Sequence, residues 1–491
     1  MKSKVSKVLS ILLSVVLVIS SFYLLYQVIR LNVLPSKFLF PLTIGVVVLD
    51  AIFILLLIYF SKNVVSKIVC IVLTLFICVA SCMGGYYISK TKSALSNITN
   101  VAKHAKNTVS VIVKESSFIK NKSQLNGVSV GSLRLNEQGS KKVLKELSGE
   151  GIVLNQTEYD SMTALLEAFY NGEVDSIIIN ESSRSQILDM EAYSNFDSNT
   201  RVVYQTSYKV KNNDSATSVS DITSKPFNVL ISGSDTRGGF DENGRSDVIM
   251  IATVNPKTHT ILLTSVPRDF YVTTACDAGD GCMQGALDKI THTGIHGTNT
   301  TKRTVEQLLG IEINYTFKVG FDTVTELVDV LGGVDVYVEP GYATTTSEFS
   351  VHEGVNHLNA QQALAFARER YSYTEGDRQR TKNQQQVLMG IVKEATKPSV
   401  ITNYAAIMDT MANTFSTTMS NEEITDLIKY QLNNNPTWKM EQYMVDGTGD
   451  TLMCAELGDA ASVMVPDQST VKMAKDKINA VLAGKSSEDV K

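Results

Sequence analysis

Two carboxylates flank one short connection: Asp235 in Ser232-Gly233-Ser234-Asp235-Thr236-Arg237-Gly238-Gly239, and Asp247 in Gly244-Arg245-Ser246-Asp247. The apolar runs on either side, Phe227 to Ile231 and Val248 to Val254, read as strands. Paired as an antiparallel hairpin, they bring Asp235 and Asp247 to one edge of a sheet, within range of a single hard divalent cation, with Arg245 alongside. Taken alone, the same residues also describe a polar surface turn. A third run, Thr260 to Val266, ends in Pro267-Arg268-Asp269, the next loop carries Asp288-Lys289-Ile290, and Phe366-Ala367-Arg368-Glu369-Arg370 closes a helical stretch. Arg245, Arg268, Arg368, Arg370 and Arg380, with Lys289, call for a polyanion, and guanidinium forks match phosphate oxygens. With a metal ion bridging a pyrophosphate, phosphoryl transfer is the chemistry such a set serves.

These residues must be held by a sheet with helices on its faces. The short connections between the three apolar runs fit an antiparallel meander. Helical pattern follows at Thr301 to Leu309, a strand near Tyr315 to Val319, and a helix over Phe321 to Leu331 that Gly332-Gly333 stops before a strand at Val334 to Val338. Asn359 can cap a helix over Ala360 to Arg370, and Gly376-Asp377 opens a long one to about Ala395. One stripe of that long helix carries Asp377, Arg380, Gln384, Val387 or Leu388, and Ile391, polar at its start and apolar further on. A charged mouth on a greasy wall suits a phosphate head with a lipid tail, although the apolar half also reads as ordinary core. Upstream, Gly127 to Val130, Lys141 to Leu147, Ile152 to Leu154, Met162 to Tyr170 and Ile177 to Ile179 alternate strand and helix as a small α/β domain. A Ser/Asn/Asp-rich linker, Lys211 to Lys225, precedes Pro226, and helical patterns at Glu422 to Leu432 and Val471 to Leu482 suggest that the core extends late into the chain.

The rest of the chain sets the surroundings. Apolar residues are 44% of the 491 and charged residues 19%, a greasy balance that is concentrated before residue 90. Three runs there, Val8 to Ile29, Phe38 to Phe60 and Ile68 to Ile88, approach the roughly 20 residues that a membrane-crossing helix needs. Lys2, Lys4 and Lys7, with Lys62 and Lys67, predict a cytoplasmic N-terminus in the cell membrane and an extracellular remainder. Asp50 inside the second run is either a functional carboxylate or one bonded to a neighbouring helix. A net charge of −5 makes nucleic acid an unexpected partner. Cys276 and Cys282 flank a Gly/Asp-rich loop and either close a small disulfide ring or are unrelated thiols. His292 is either catalytic or a loop histidine holding backbone. The expected organisation is residues 1–90, three membrane helices; 91–225, a stalk or amphipathic helix, a small α/β accessory domain and the linker; and 226–485, the domain that carries the chemistry.

From Asn228 to about Ala395 the chain resembles the LytR-CpsA-Psr family: NVLISGSDTRGG, GRSDVIMIATVNPKT, SVPRDFYV, DKITHTGIHG, TVEQLLGI, LVDVLGGVDVYV and DRQRTKNQQQVL stand in the family's order and spacing. The membrane runs and the intervening small domain are similar to the streptococcal capsule-locus CpsA type. The resemblance implies an α/β (α+β) fold, with a central mixed or antiparallel sheet flanked by helices. It implies a membrane-anchored phosphotransferase, with pyrophosphatase side activity conceivable, that moves an undecaprenyl-pyrophosphate-linked glycopolymer onto peptidoglycan. Mg²⁺, or Mn²⁺ in its place, would be the cofactor, capsular polysaccharide the polymer and teichoic acid the runner-up. Carried over, Asp235 and Asp247 would bind the metal; Arg245, Arg268, Arg368, Arg370, Arg380 and Gln384 would contact the pyrophosphate or organise its binders. Asp377 would orient Arg380 or support the metal, and the lipid tail would lie near Val387 and Ile391. Where many members read R-Q-Q, this chain has Asn383-Gln384-Gln385, and the family's DKI-N-H is DKI-Thr291-His292 here. The alternative reading is a non-catalytic regulator that binds polyprenyl phosphate and touches capsule-synthesis membrane proteins.

Overall fold

The computed structural model describes residues 2–60, 63–101, 104–211, 214–234, 242–277, 281–397, 406, 407, 410 and 415–490. The chain divides into two compact units: Met1–Asn97 with Glu394–Ala412 and Ser420–Thr437, and Ile98–Lys393 with Asn413–Met419 and Trp438–Lys491. In the first, α1 (Lys2–Leu31), α2 (Ser36–Leu55) and α3 (Val64–Val101) contain three stretches long and apolar enough to cross a membrane. These stretches are Lys7–Leu31, Ser36–Phe60 and Val64–Ser96. The Ser21 hydroxyl of α1 donates to Asp50 of α2 at 2.9 Å, so the carboxylate is bonded between helices. Of the two readings from residue 91, a stalk or an amphipathic helix, the structure shows helix, the last part of α3 as far as Val101, and from His104 the chain is already strand.

The second unit holds two sheets. The smaller is built from β1 (His104–Lys114), β2 (Ser129–Leu133), β3 (Asn155–Tyr159), β4 (Ser176–Asn180) and β5 (Thr200–Lys211), in the order β3-β2-β4-β1-β5. β2 is parallel to both β3 and β4, whereas β1 runs antiparallel to β4 and β5. Alternate residues of β4 point to opposite faces: Ile178 joins the core under α4 (Glu137–Gly149), and Ile177 and Ile179 join the core under α5 (Met162–Asn171). The strand expected at Ile152 to Leu154 lies one step later, at Asn155–Tyr159. Ile152 and Leu154 are buried beneath α4, but the true strand is an exposed edge with no apolar run to announce it. Residues 214–220 have no regular structure, and the linker expected up to Lys225 ends at Pro226 as β6 begins.

The larger sheet contains β6 (Phe227–Ser234), β7 (Val248–Asn255), β8 (Thr260–Val266), β9 (Tyr315–Gly320), β10 (Phe415–Thr417) and β11 (Lys439–Met444), ordered β10-β9-β6-β7-β8-β11. The expected meander β6-β7-β8 is antiparallel, and β9 and β11 add parallel to its two edges, which makes the sheet mixed. Leu230, Ile249, Ile251 and Leu262 face a core shared with α6 (Thr298–Leu309) and with Val471, Ala474, Ile478 and Val481 of a late helix, Gln468–Leu482. The opposite face meets α7 (Ala360–Arg368) and α8 (Asp377–Ala395). Asn359 accepts from the Gln362 amide at 3.0 Å, a cap that fixes the start of α7. Its end is Arg368, so Arg370, expected inside the helix, stands in the turn after it.

Candidate active site

The site grows from the point where β6 and β7 stop pairing. The Asp247 amide donates to the Gly233 carbonyl at 2.8 Å, which fixes Asp247 at the end of the ladder. A Cβ on Gly233 would come within 2.7 Å of Val248, so this close approach requires glycine. The Ser246 hydroxyl lies 2.9 Å from that of Ser232 and 3.0 Å from that of Thr301, which turns the residue inward and leaves Arg245 and Asp247 on the mouth. Asp235 lies outside the described residues.

Around Asp247 the cations gather. Arg268, in the turn after β8, donates to it at 2.8 Å, Arg245 Nε stands 4.0 Å away, and the Thr291 hydroxyl is at 3.5 Å. Asp269 lies between Arg268 at 3.7 Å and Lys289 at 3.4 Å. Arg245 also pairs with Asp189, a residue of the small-sheet region that sequence reasoning did not single out. On α8, Arg380 pairs with Asp377 one turn back. Burial works against the Arg268 cation, but Asp247 and Asp269 outweigh it and hold its pKa above the ordinary range. For Arg380 burial wins: with Arg268 and Arg370 as like charges nearby, its pKa is pushed down although Asp377 opposes. This mutual influence places Arg268, Arg370, Arg380, Asp247 and Asp377 in one electrostatic cluster. The Arg370 guanidinium lies 4.7 Å over the Tyr371 ring, and Arg368 is exposed at the end of α7.

The donors in this cluster are not all used. The Nε–H groups of Arg245, Arg268 and Arg380 are buried without an acceptor, as is the Ser234 hydroxyl. Buried donors of this kind ask for a partner, and an anion seated among them supplies one. Directly behind lies an apolar cavity of about 80 Å³ between Ile231, Val248 and Met250 of the sheet and Gln384, Val387, Leu388 and Ile391 of α8. The stripe expected on α8 is therefore real, and Gln384 sits where its polar part meets its apolar part. The neighbours of Gln384 turn away. Asn383 donates to the Phe366 carbonyl at 3.1 Å, and Gln385 donates to the Tyr443 carbonyl at 2.9 Å. His292 is buried and its Nδ1 lies 2.7 Å from Asp288, whose other oxygen accepts the Glu456 amide at 2.6 Å. Cys276 and Cys282 form a disulfide, closing the loop between them.

No group of three or more His, Cys, Asp or Glu side chains suited to a metal occurs among the described residues. A Mg²⁺ ion needs less, because it keeps waters and takes one or two carboxylates together with substrate phosphates. Asp247 beside the unpartnered Ser234 hydroxyl fits that sparse demand and does not form an all-protein cage.

A mixed sheet with a phosphate-ready arginine cluster at one end and an apolar cavity behind it defines the class, and the comparisons give its family. The chain belongs to the LytR_cpsA_psr family, whose model matches residues 192–480. The polyisoprenyl-teichoic acid–peptidoglycan teichoic acid transferase TagU of Bacillus cereus (strain AH820) is 31% identical over 241 residues, covering 48% of this chain and 76% of the relative. TagU of Bacillus subtilis (strain 168) is 34% identical over 203 residues, 41% of this chain and 63% of the relative. Among solved structures, B. subtilis TagU aligns at 28% identity with a TM-score of 0.41, over 52% of this chain and 97% of that one. The Streptococcus agalactiae protein gbs0355 aligns at 25% identity with a TM-score of 0.45, over 53% and 89%.

Proposed function

We propose that this protein transfers an undecaprenyl-pyrophosphate-linked glycopolymer onto peptidoglycan. The observation that carries the reading is the set of three buried arginine Nε–H groups that lack a hydrogen-bond acceptor, next to an apolar cavity. A pyrophosphate satisfies the donors, and the first isoprene units of its lipid enter between the sheet and α8. We assign capsular polysaccharide as the polymer, with teichoic acid, the substrate in the names of the relatives, as the alternative.

In the reaction a peptidoglycan sugar hydroxyl attacks the sugar-linked phosphorus. A new P–O bond forms as the bond to the bridging oxygen breaks, and undecaprenyl phosphate leaves with the electron pair. Arg268 and Arg380 hold the phosphoryl oxygens in line, and Arg245, Arg370 and Lys289 add charge around them. Asp377 positions Arg380, and Asp269 positions Arg268 and Lys289. The hydroxyl proton passes to a carboxylate of the mouth, Asp377 or Asp269, or to solvent. Asp247 and Asp235 would hold a Mg²⁺ ion, which would supply positive charge against the departing phosphate.

The test is wall attachment of polymer in cells carrying Arg268→Ala or Arg380→Ala, each expected to fall about tenfold or more because each loses charge-assisted bonds to the transferring group. Near-normal attachment in both variants overturns the assignment.

A further inference from the structure

A second cavity, of about 330 Å³, lies on the other side of the segment that carries Arg245, with Asn243 in its wall. It opens at the carboxyl ends of β2 and β4, the neighbouring parallel strands of the small sheet: Leu133 ends β2 and Arg134 to Gln138 follow it, and Asn180 ends β4 and Ser183 follows it. From β2 the chain passes to α4 on one face. From β4 it passes to the short helix Arg184–Asp189, whose Ile187 packs on the other face with α5. Where consecutive connections leave for opposite faces, a crevice opens outside the strand ends, the usual ligand position in open α/β sheets. The volume lies in the range of small-molecule sites, about 300–1,000 Å³.

Its lining is rich in carboxamides: Asn107, Asn136, Gln138, Asn180, Asn243 and Asn299. Asn136 is 8% exposed, yet both its Nδ2 and its Oδ1 have no partner, and Oδ1 of Asn107 and of Asn180 are buried and unpartnered as well. Gly139 leaves the room that the Asn136 side chain occupies, since a Cβ there would stand 2.5 Å from its Oδ1. The opposite wall carries His296, whose Nε2 lies 3.1 Å from Glu456, and the disulfide loop at Gly281 and Cys282. Charges of both signs line it, Arg134 against Glu137 and Glu456, so the cavity does not select an ion. Carboxamides offer donor and acceptor together, which matches vicinal hydroxyls and N-acetyl groups. The Asn136 carboxamide and the Oδ1 atoms of Asn107 and Asn180 have no protein partner, and a polyhydroxylated ligand supplies both the donors and the acceptors that they can pair with.

We propose that this cavity binds a sugar unit of a carbohydrate chain. The sugar comes either from the glycan strand that accepts or from the polymer that is donated. The choice of these two sources rests on the transferase reading, but binding is measured without turnover, so the two can fail separately.

The test titrates the full chain in detergent with two soluble probes, an N-acetylglucosamine tetramer and a lipid-free oligosaccharide cut from the cell's own wall-linked polymer, followed by saturation-transfer NMR. Saturable binding of one probe is expected, weakened about tenfold or more in Asn136→Leu. Gln138→Ala, an exposed change at the rim, is expected to weaken it about threefold and guards against a folding defect in the buried variant. Binding of the tetramer identifies the acceptor glycan as the source, and binding of the polymer fragment alone identifies the donor. No saturable binding of either probe at about 10 mM, weaker than ordinary low-affinity recognition, overturns the proposal. So does binding that both variants leave unchanged.

Discussion

Arg268 and Asp247 define the chemistry at the scale of single side chains, because their bond at 2.8 Å joins the two turns that frame the mouth. A lysine at 268 keeps the charge and loses the fork, so Arg268→Lys is expected to lower turnover about tenfold with little change in unfolding midpoint. Wild-type turnover in that variant would mean that charge alone is used. Gln385 provides the contrast. Its side-chain amide donates to the Tyr443 carbonyl at the sheet edge, and Gln385→Ala is expected to cost about 1–3 kcal/mol in denaturant unfolding while the arginine cluster stays intact. The sequence showed the arginines and Asp247 because they stand in short, ordered motifs at the ends of strands and helices. It did not show Asp189, which reaches Arg245 from the end of the short helix after β4, nor that Asn383 and Gln385 satisfy backbone carbonyls inside the fold. Polar residues on a helix read as outward-facing unless the carbonyl opposite is known.

Elements decide how substrate and solvent meet these residues. Along α8 the step from Gln384 to Val387, Leu388 and Ile391 makes a cavity wall, legible as a stripe because helical periodicity is regular. Leu388→Asn is expected to remove any preference for long over short isoprenoid pyrophosphates, read as the ratio of their kcat/KM values; an unchanged ratio would place the lipid elsewhere. The segment before β6 bears a pH-sensitive contact. Asp214 is half-buried against β9, where the Thr316 hydroxyl donates to it at 2.5 Å, and desolvation pushes its pKa up to about 6 despite that bond and the nearby Lys302. A carboxyl raised from 3.8 in the unfolded chain imposes no penalty below about pH 4, a growing one as the pH rises to about 6, and a constant one above. The loss is on the order of 3 kcal/mol. Asp214→Asn is expected to flatten this pH dependence between about 4 and 6, and a wild-type profile in the variant would contradict the assignment. No sequence pattern foretold it, because the linker around Asp214 has no periodicity and its burial depends on a strand far along the chain.

For the whole molecule, membrane helices and catalytic machinery must share one topology. The three apolar stretches were legible from length and composition alone, whereas the continuation of the third helix to Val101 was legible only as one of two readings, a stalk or an amphipathic helix, since its last turns are polar. We propose an N-terminus in the cytoplasm and the rest of the chain beyond the third span outside, so an alkaline phosphatase fused after residue 491 is expected to be active and a β-galactosidase inactive. The reverse pattern would separate the enzyme from peptidoglycan and remove the function proposed. The central claim is most directly tested by following undecaprenyl phosphate released from a lipid-pyrophosphate glycan by the full chain in detergent, with and without Mg²⁺, for the wild type and Arg268→Ala. Metal-dependent release that the substitution abolishes is the predicted result. Tight binding of the lipid without release, even with peptidoglycan fragments supplied, would contradict it and leave a protein that binds its lipid without turning it over.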